Sequence, residues 1–365
     1  MVRVKCKVRL ILVILLLWIS ITMLFFVYAI NLKNYLHISL EPSRFIEKLL
    51  IRETLLLPFS KPNVTSCQEC FPTVSPRNVR PWKTLLHLSY ARTATVLTRT
   101  STSWRIQNGV CDLDTGDFKK ATLKSPAGDT PIFIYPKAQD VWVSRDIIER
   151  GIWEGDLVQM TYEFMTKHAD ADFVDIGANV GVYGLTIAKM GRRVVLIDPL
   201  LGNVRRLCKS IREGQFQNEA YVIHNAISDK RFRVGFGTHP GNVGGTYVKE
   251  MTSANDAEVA QAIPLDDLLS IFNFTKVVIK MDIEGHETRA LLGGDRFFST
   301  VNVVVVQMEW ALHRKDGIKI IKFLTRHNMK PYYPAMKGSL LDVNSFQNWP
   351  GDIVWKKNPS VIKSN

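Results

Sequence analysis

Asp175-Ile176-Gly177-Ala178-Asn179-Val180-Gly181, followed by Val182-Tyr183-Gly184, is the stretch on which the fold turns. It closes the apolar run Asp172 to Ile176 and opens a second apolar run, Tyr183 to Met190, of helical length. Glycines let the backbone turn tightly and approach a ligand. Asparagine tolerates left-handed backbone angles better than most residues. The loop leads into a helix N-terminus, whose partial positive charge favours an anionic group. The dinucleotide pattern Gly-x-Gly-x-x-Gly would need glycine at 177, 179 and 182, and Asn179 and Val182 break it. An acid at the head of the loop, Asp175, suits the ammonium of an amino-acid ligand better than a pyrophosphate. Taken alone, the loop also admits the lesser reading of an ordinary strand-to-helix turn.

Outward from this loop a rhythm repeats. Arg193 to Ile197 reads as a strand, Val204 to Glu213 as a helix and Ala220 to His224 as a strand. Phe232 to Val248 reads as a hairpin or long loop, Asp266 to Phe272 as a short helix and Val277 to Met281 as a strand. Thr288 to Leu292 starts a helix closed by Gly293-Gly294, and Asn302 to Met308 is a valine-rich strand. A helix at Lys315 to His327 and strands at Lys330 to Tyr333 and Asp352 to Lys356 finish the chain. Upstream, Ile132 to Tyr135 and Val141 to Val143 look like short strands and Trp153 to His168 like a helix. Strands alternating with helices predict an α/β fold, a doubly wound, mostly parallel Rossmann-like sheet. The valine run suits a central strand covered on both faces.

In such sheets ligands sit beyond the carboxyl ends of the strands. Asp198 ends the strand after the loop and is placed to accept hydrogen bonds from both hydroxyls of a ribose. Together with Asp175 it predicts an adenosine-bearing ligand, and the pair alone does not separate S-adenosylmethionine (SAM) from NAD. Lys280-Met-Asp282-Ile-Glu284-Gly-His286-Glu287 follows the Val277 strand, and strand alternation points Lys280, Asp282 and Glu284 to one face. Charges gathered there are costly unless they face a polar site or pair with each other. Asp282 and Glu284 are candidates to deprotonate a substrate hydroxyl or to hold a hard cation such as Mg²⁺ or Mn²⁺. Glu309, ending the valine strand, is a third acid at that edge. His286 is either a base or a solvated first-turn residue.

These residues, taken in order with Asn225-Ala-Ile-Ser-Asp229 and Pro264-Leu-Asp-Asp-Leu268, resemble FkbM-type methyltransferases from about Gly151-Ile-Trp-Glu154 to Trp310. The resemblance implies a class I methyltransferase fold, SAM as cofactor and O-methylation of a hydroxyl, often on a sugar. It implies that Asp175, Gly177, Asn179 and Gly181 line the methionine end and that Asp198 takes the ribose; Tyr183, just past the loop, is a further cofactor-binding candidate. Asn225, Ala226 and Ser228 would flank the adenine, and Asp282 and Glu284 would fall at the catalytic edge, where the strand-end reading adds Lys280 and Glu309. Asp198 stands where that family more often has Glu, and His286 where it commonly has a small or apolar residue, so no role is carried over for His286.

The N-terminus lies outside that likeness. Leu10 to Ile30 carries no charged residue and, at about 1.5 Å per residue, spans a hydrocarbon core roughly 30 Å thick. No Ala-x-Ala site follows it, which favours an uncleaved signal anchor over a signal peptide. Arg3, Lys5, Lys7 and Arg9 precede the span, so the positive-inside rule puts the N-terminus in the cytoplasm and the rest across the membrane. The expectation is a single-pass type II membrane protein of the secretory pathway, in the manner of Golgi glycan-modifying enzymes. Its parts are a tail (1–9), an anchor (10–30), a stem or linker (31–103), a methyltransferase domain (104–357) and a C-terminal tail (358–365). The stretch Ala91 to Trp104 reads as surface or linker. Cys67, Cys70, Cys111 and Cys208 allow one or two disulfides in an oxidising lumen, in three possible pairings. Cys67-Gln-Glu-Cys70 lacks the second pair a zinc site needs, and Cys6 faces the cytoplasm. Asn63-Val-Thr65 and Asn273-Phe-Thr275 are glycosylation sequons, Asn63 in the more open setting.

A net charge of +13 is scattered, and part of it belongs to the membrane-flanking run. No nucleic acid is expected as a partner; an anionic glycan or lipid headgroup suits the charge. The reading that follows is a membrane-anchored SAM-dependent O-methyltransferase acting on a glycan or small-molecule acceptor. Its rivals are an NAD-dependent oxidoreductase and a non-catalytic tethered binding protein of the same fold.

Overall fold

Val303 to Val306 lie side by side in the sheet, Val303 and Val306 packing on one face and Val304 and Val305 on the other. This is the two-sided burial that a run of β-branched residues favours. The computed structural model describes residues 94–107, 109–111, 118–251 and 259–358. The expected anchor Leu10 to Ile30, Cys6, Cys67, Cys70 and the Asn63 sequon lie outside them. Among the described residues no helix is long and apolar enough to cross a membrane.

The chain enters with β1 (Thr95–Arg99) and β2 (Trp104–Ile106), then a hairpin of β3 (Lys119–Ser125) and β4 (Gly128–Ile134). Helices α1 (Val143–Arg150) and α2 (Gly155–Lys167) lead to the alternating part. This runs β5 (Asp172–Ile176), α3 (Val182–Lys189), β6 (Val194–Ile197), α4 (Leu201–Gly214) and β7 (Ala220–Ile223). A small sheet follows, of β8 (Ala226–Ser228), the hairpin β9 (Phe232–His239) and β10 (Asn242–Glu250), and β11 (Ala260–Pro264). After a 3-10 turn at Leu265–Ser270 come β12 (Lys276–Met281), α5 (Glu287–Leu292), α6 (Asp295–Thr300), β13 (Asn302–Glu309), α7 (Ile318–Arg326), β14 (Met329–Tyr332) and β15 (Asp352–Lys357).

The main sheet has the order β14-β15-β13-β12-β5-β6-β7-β1-β2. It is parallel from β13 through β1 and turns mixed at its ends, where β15 runs antiparallel to β13 and β14, and β2 antiparallel to β1. From β5 the chain winds outward through β6 and β7, then returns to the other side of β5 as β12. That reversal opens a crevice at the carboxyl ends of β5 and β12, where doubly wound sheets bind ligands.

Two sequence expectations are corrected. Val141 to Val143 is not a strand: α1 begins at Val143. The buried Asp140 carboxylate accepts the Val143 N–H at 3.2 Å and the Ser144 N–H at 2.8 Å, satisfying first-turn donors that a helix leaves open. Thr95 to Arg99, read as linker, is a sheet strand. It pairs in parallel with β7, and Val96 and Leu97 pack on opposite faces, so the folded unit begins before residue 104.

Cys111 and Cys208 form a disulfide that closes a 97-residue separation and ties the segment after β2 to α4. Chain entropy alone assigns such a loop a stabilisation on the order of 4–5 kcal/mol. Asn273 of the second sequon sits half-buried between buried Phe272 and Phe274, a poor place for a glycan.

Candidate active site

At the end of β5 the chain turns through Gly177, at φ +82°, and Asn179, at φ +50°. The Gly177 and Ala178 N–H groups both donate to the Ile197 carbonyl of β6, at 2.9 and 3.0 Å. From the other side Lys280 Nζ donates to the Gly177 carbonyl at 2.9 Å. The loop is thus clamped between the two strands flanking β5. Gly181, the residue before α3, is left-handed at φ +99°, and a Cβ there would stand 2.6 Å from Leu207. It serves the packing of α3 on α4 rather than the cleft.

A cleft of about 300 Å³ opens above this loop. Gly177, Asn179, Tyr183, Asp198, Lys280, Asp282, Glu284 and Glu309 all line it, so the structure brings together most of the residues chosen from the sequence. Asp198 is held by the Asn179 N–H (2.8 Å), the Leu200 N–H (2.9 Å) and Asn203 Nδ2 (3.1 Å). Burial nevertheless pushes its carboxyl up to about 7, those hydrogen bonds opposing. Asn179 Oδ1 is buried and has no hydrogen-bond partner. An orphaned acceptor beside a carboxylate that keeps free lone pairs fits a ligand rich in hydroxyl or ammonium donors.

Asp175 is placed differently from the sequence expectation. It is fully buried, below the cleft rather than on its wall. Its Oδ2 accepts the Gly184 N–H in the first turn of α3 at 3.0 Å, and its Oδ1 lies 3.9 Å from Lys280 Nζ. Burial raises its carboxyl to about 6, with Lys280 pulling the other way. It caps a helix and lies beside a lysine, it is not among the residues that line the cleft, and its Oδ1 is buried without a hydrogen-bond partner.

The adenine-side residues divide. Asn225 and Ala226 line a small, mostly apolar hollow next to the cleft with Ile197, Pro199, Val248 and Ile283. The Asn225 side chain is consumed by backbone, accepting from Arg99 N–H at 2.7 Å and donating to the Arg99 and Gln261 carbonyls at 2.9 Å. Ser228 is buried outside that hollow, its hydroxyl 3.0 Å from His286 Nε2. His286 lines the hollow, and burial lowers its imidazole below the ordinary range, so at neutral pH it is an uncharged ring pinned by Ser228.

The catalytic edge carries an excess of acid. The cleft is lined by Glu154, Asp198, Asp282, Glu284, Glu309 and Asp352 against one cation, Lys280. Glu154 and Asp352 escaped the sequence reading: neither sits in a motif of spaced glycines or acids, and only the folded sheet brings α2 and β15 to the crevice. Burial lowers Lys280, but Asp282 at 3.4 Å, Asp175 and Glu154 outweigh it and hold the ammonium above its usual range. Burial raises Glu309 to about 8 and Glu284 and Glu154 to about 7, with neighbouring Asp282 adding to the rise in each. The acids whose oxygens lie within 4.8 Å of one another are Asp282, Glu287 and Glu309. The proposed cation pair Asp282 and Glu284 is not that group. Glu287 is already engaged, accepting the Ile283 N–H at 2.8 Å and standing 2.7 Å from His313 Nε2.

The raised carboxyls set a sign for stability against pH. Each binds its proton more tightly folded than unfolded, so its stabilising contribution is present below about pH 4 and is lost as pH rises through 7 to 8. The ligand-free protein should therefore melt at a lower temperature at pH 8 than at pH 6.5, and Glu309→Gln should flatten that decline. A melting temperature that rises over this window, or an unchanged slope in the variant, would contradict these placements.

A doubly wound α/β fold with a mixed sheet thus carries, at its switch point, an acid-rich cleft with the strand-end carboxylate of Asp198 on its wall. Residues 175–331 match the family model for the methyltransferase FkbM domain. The hexuronic acid methyltransferase AglP of Haloferax volcanii is 24% identical over 212 residues, 57% of this chain and 83% of that protein. The matched span is similar to the methyltransferase FkbM domain and holds the cleft residues from Gly177 to Glu309, while Glu154 and Asp352 fall outside it. Among solved structures, a methyltransferase FkbM from Methylobacillus flagellatus is 21% identical with a TM-score of 0.34, covering 51% of this chain and 43% of that one. The SAM-bound magnesium protoporphyrin IX methyltransferase of Synechocystis is 12% identical with a TM-score of 0.32, covering 55% of this chain and 78% of that one.

Proposed function

We propose that this chain is a SAM-dependent methyltransferase that O-methylates a hydroxyl on a glycan or another secretory-pathway acceptor. In this reading Leu10 to Ile30 anchors it as a single-pass type II membrane protein, with the α/β domain in the lumen of the Golgi. The observation that carries the cofactor is the charge of the cleft: six carboxylates around one lysine. SAM brings a sulfonium and an ammonium, charges that such a wall attracts, whereas the pyrophosphate of NAD would meet carboxylates with Lys280 alone to offset them. The FkbM match and the hexuronic acid methyltransferase relative support a sugar as the acceptor.

When bound, SAM supplies an electrophilic methyl group on sulfur. Asp198 and Asn179 Oδ1 accept hydrogen bonds from the ribose and its neighbours. The apolar hollow beside Ala226 and Ile283 takes the base. Lys280 fixes the carbonyl of Gly177 and holds Asp282 at 3.4 Å, so loop and carboxylate keep one geometry. Asp282 accepts the proton of the acceptor hydroxyl, and Glu284 and Glu309 orient that hydroxyl. Positioning supplies much of the rate in such a displacement. No step requires a metal ion, and activity should survive a chelator.

Mass spectrometry of glycans and lipids from cells with and without the gene tests the reading. A species heavier by one CH₂ only when the gene is present supports it. Identical profiles in both would reject it.

A further inference from the structure

The sealed position of Asp175 leaves the amino-acid end of the methyl donor in need of another partner, and this inference rests on the cofactor reading above. Glu154 is the residue built for it. It precedes α2 at φ +51° and ψ +44°, a left-handed conformation that strains a non-glycine residue. The position is over-determined by its surroundings. The Glu154 carbonyl accepts the Val158 N–H at 2.9 Å, and one carboxylate oxygen, Oε2, accepts the Tyr183 hydroxyl at 2.6 Å. Tyr183 is fixed in turn: Gln307 Nε2 donates to its hydroxyl at 3.3 Å, and Gln307 Oε1 accepts from Thr161 Oγ1 at 2.6 Å.

A chain of four side chains therefore aims one carboxylate at the cleft. Its second oxygen, Oε1, accepts a hydrogen bond from no described residue, while Glu154 lines the cleft beside Tyr183. Lys280 Nζ stands 5.4 Å from the centre of the Tyr183 ring and is committed to the Gly177 carbonyl and Asp282, so it does not occupy Glu154. Glu154 shares the cleft with Asp198 and with Gly177, Ala178 and Asn179 of the loop. A ligand with its ribose on Asp198 and its amino-acid tail laid over that loop brings its ammonium toward Glu154.

We infer that Glu154 binds the α-ammonium of the donor's amino-acid end, with Tyr183 as the positioning residue that holds its carboxylate. The subsite selects a zwitterionic amino-acid tail attached to adenosine over an adenosine that lacks one.

The test is calorimetric, on the full chain in detergent, with two probes. S-adenosylhomocysteine carries the amino-acid end, and 5′-methylthioadenosine has the same adenosine and sulfur without it. Glu154→Gln should weaken S-adenosylhomocysteine by about 10- to 100-fold, the range for a hydrogen bond to a charged group, and leave methylthioadenosine within about twofold. Tyr183→Phe should show the same selective loss, smaller in size, and Glu154→Asp should retain more of the discrimination than Glu154→Gln. Retained methylthioadenosine binding shows that each variant is folded. Equal losses for both probes in Glu154→Gln and Glu154→Asp, or no loss for either, would overturn the assignment while leaving the cofactor reading intact. A wild-type chain that binds neither probe would instead remove the cofactor reading, and this subsite with it.

Discussion

Gly177→Ala is expected to destabilise the ligand-free protein by at least ~3 kcal/mol and to abolish cofactor binding. A Cβ at this position would stand 1.9 Å from the Asp282 carbonyl oxygen and 3.0 Å from its carbonyl carbon. Backbone cannot swing aside as a side chain can, so β5 and β12 must part at the point where Asp282 N–H donates to the Ile176 carbonyl at 3.1 Å. The left-handed φ of +82° adds strain of about 1–2 kcal/mol for any residue with a Cβ. Gly191→Ala isolates that second effect, because Gly191 has φ +70° and nothing within 4 Å of its would-be Cβ. For a domain of this size the Gly177 variant should melt about 6–12 °C lower, and the Gly191 variant only a few degrees lower. Scanning fluorimetry of the two side by side decides it; equal shifts would mean that the Gly177 loop is not pressed against Asp282.

Asp282→Asn is expected to cut turnover by about 10³-fold, within the range for loss of a positioned general base, with cofactor affinity almost unchanged. Its side chain is 35% exposed to the cleft and lies 3.4 Å from Lys280 Nζ. Glu309 and Glu284 share this cleft with it, and burial raises them to about 8 and about 7, so these two groups can exchange a proton near neutral pH beside Asp282. Re-expression in cells lacking the gene reads the effect: wild type should restore the species heavier by one CH₂, and Asp282→Asn should not. Full restoration by the variant would take Asp282 out of the chemistry.

What could be read from the sequence followed from local pattern. The loop from Gly177 to Gly181 announced itself because glycine and asparagine spacing reports backbone geometry directly. The strands from Asp172 to Ile176 and Val277 to Met281 announced themselves because burial on both faces demands unbroken apolar runs. Asp198 followed from its place at a strand end. What escaped depends on partners distant in sequence. Asp175 looked like a ligand-facing acid, yet the Gly184 amide and Lys280 draw it under the loop. Asn225 looked like a pocket residue, yet its side chain ties β1 to the small sheet. Thr95 to Arg99 alternates too weakly to declare a strand until β7 offers it an edge. Asp140 carries no signal of its own in the sequence and is the cap that makes a helix of an apparent strand. Glu154 is unremarkable as a residue before a helix; its left-handed backbone and its bond to Tyr183 appear only once α2 packs beside α3.

The acid-lined cleft that Gly177, Asp198 and Glu154 share accounts for the cofactor only if it prefers a cation-bearing adenosine to a pyrophosphate. Calorimetric titration of the full chain with S-adenosylhomocysteine and with NAD⁺ measures that preference. Binding of S-adenosylhomocysteine at one site per chain, lost in Gly177→Ala, with no heat from NAD⁺, is the predicted result. Saturable binding of NAD⁺ that S-adenosylhomocysteine does not displace would contradict it.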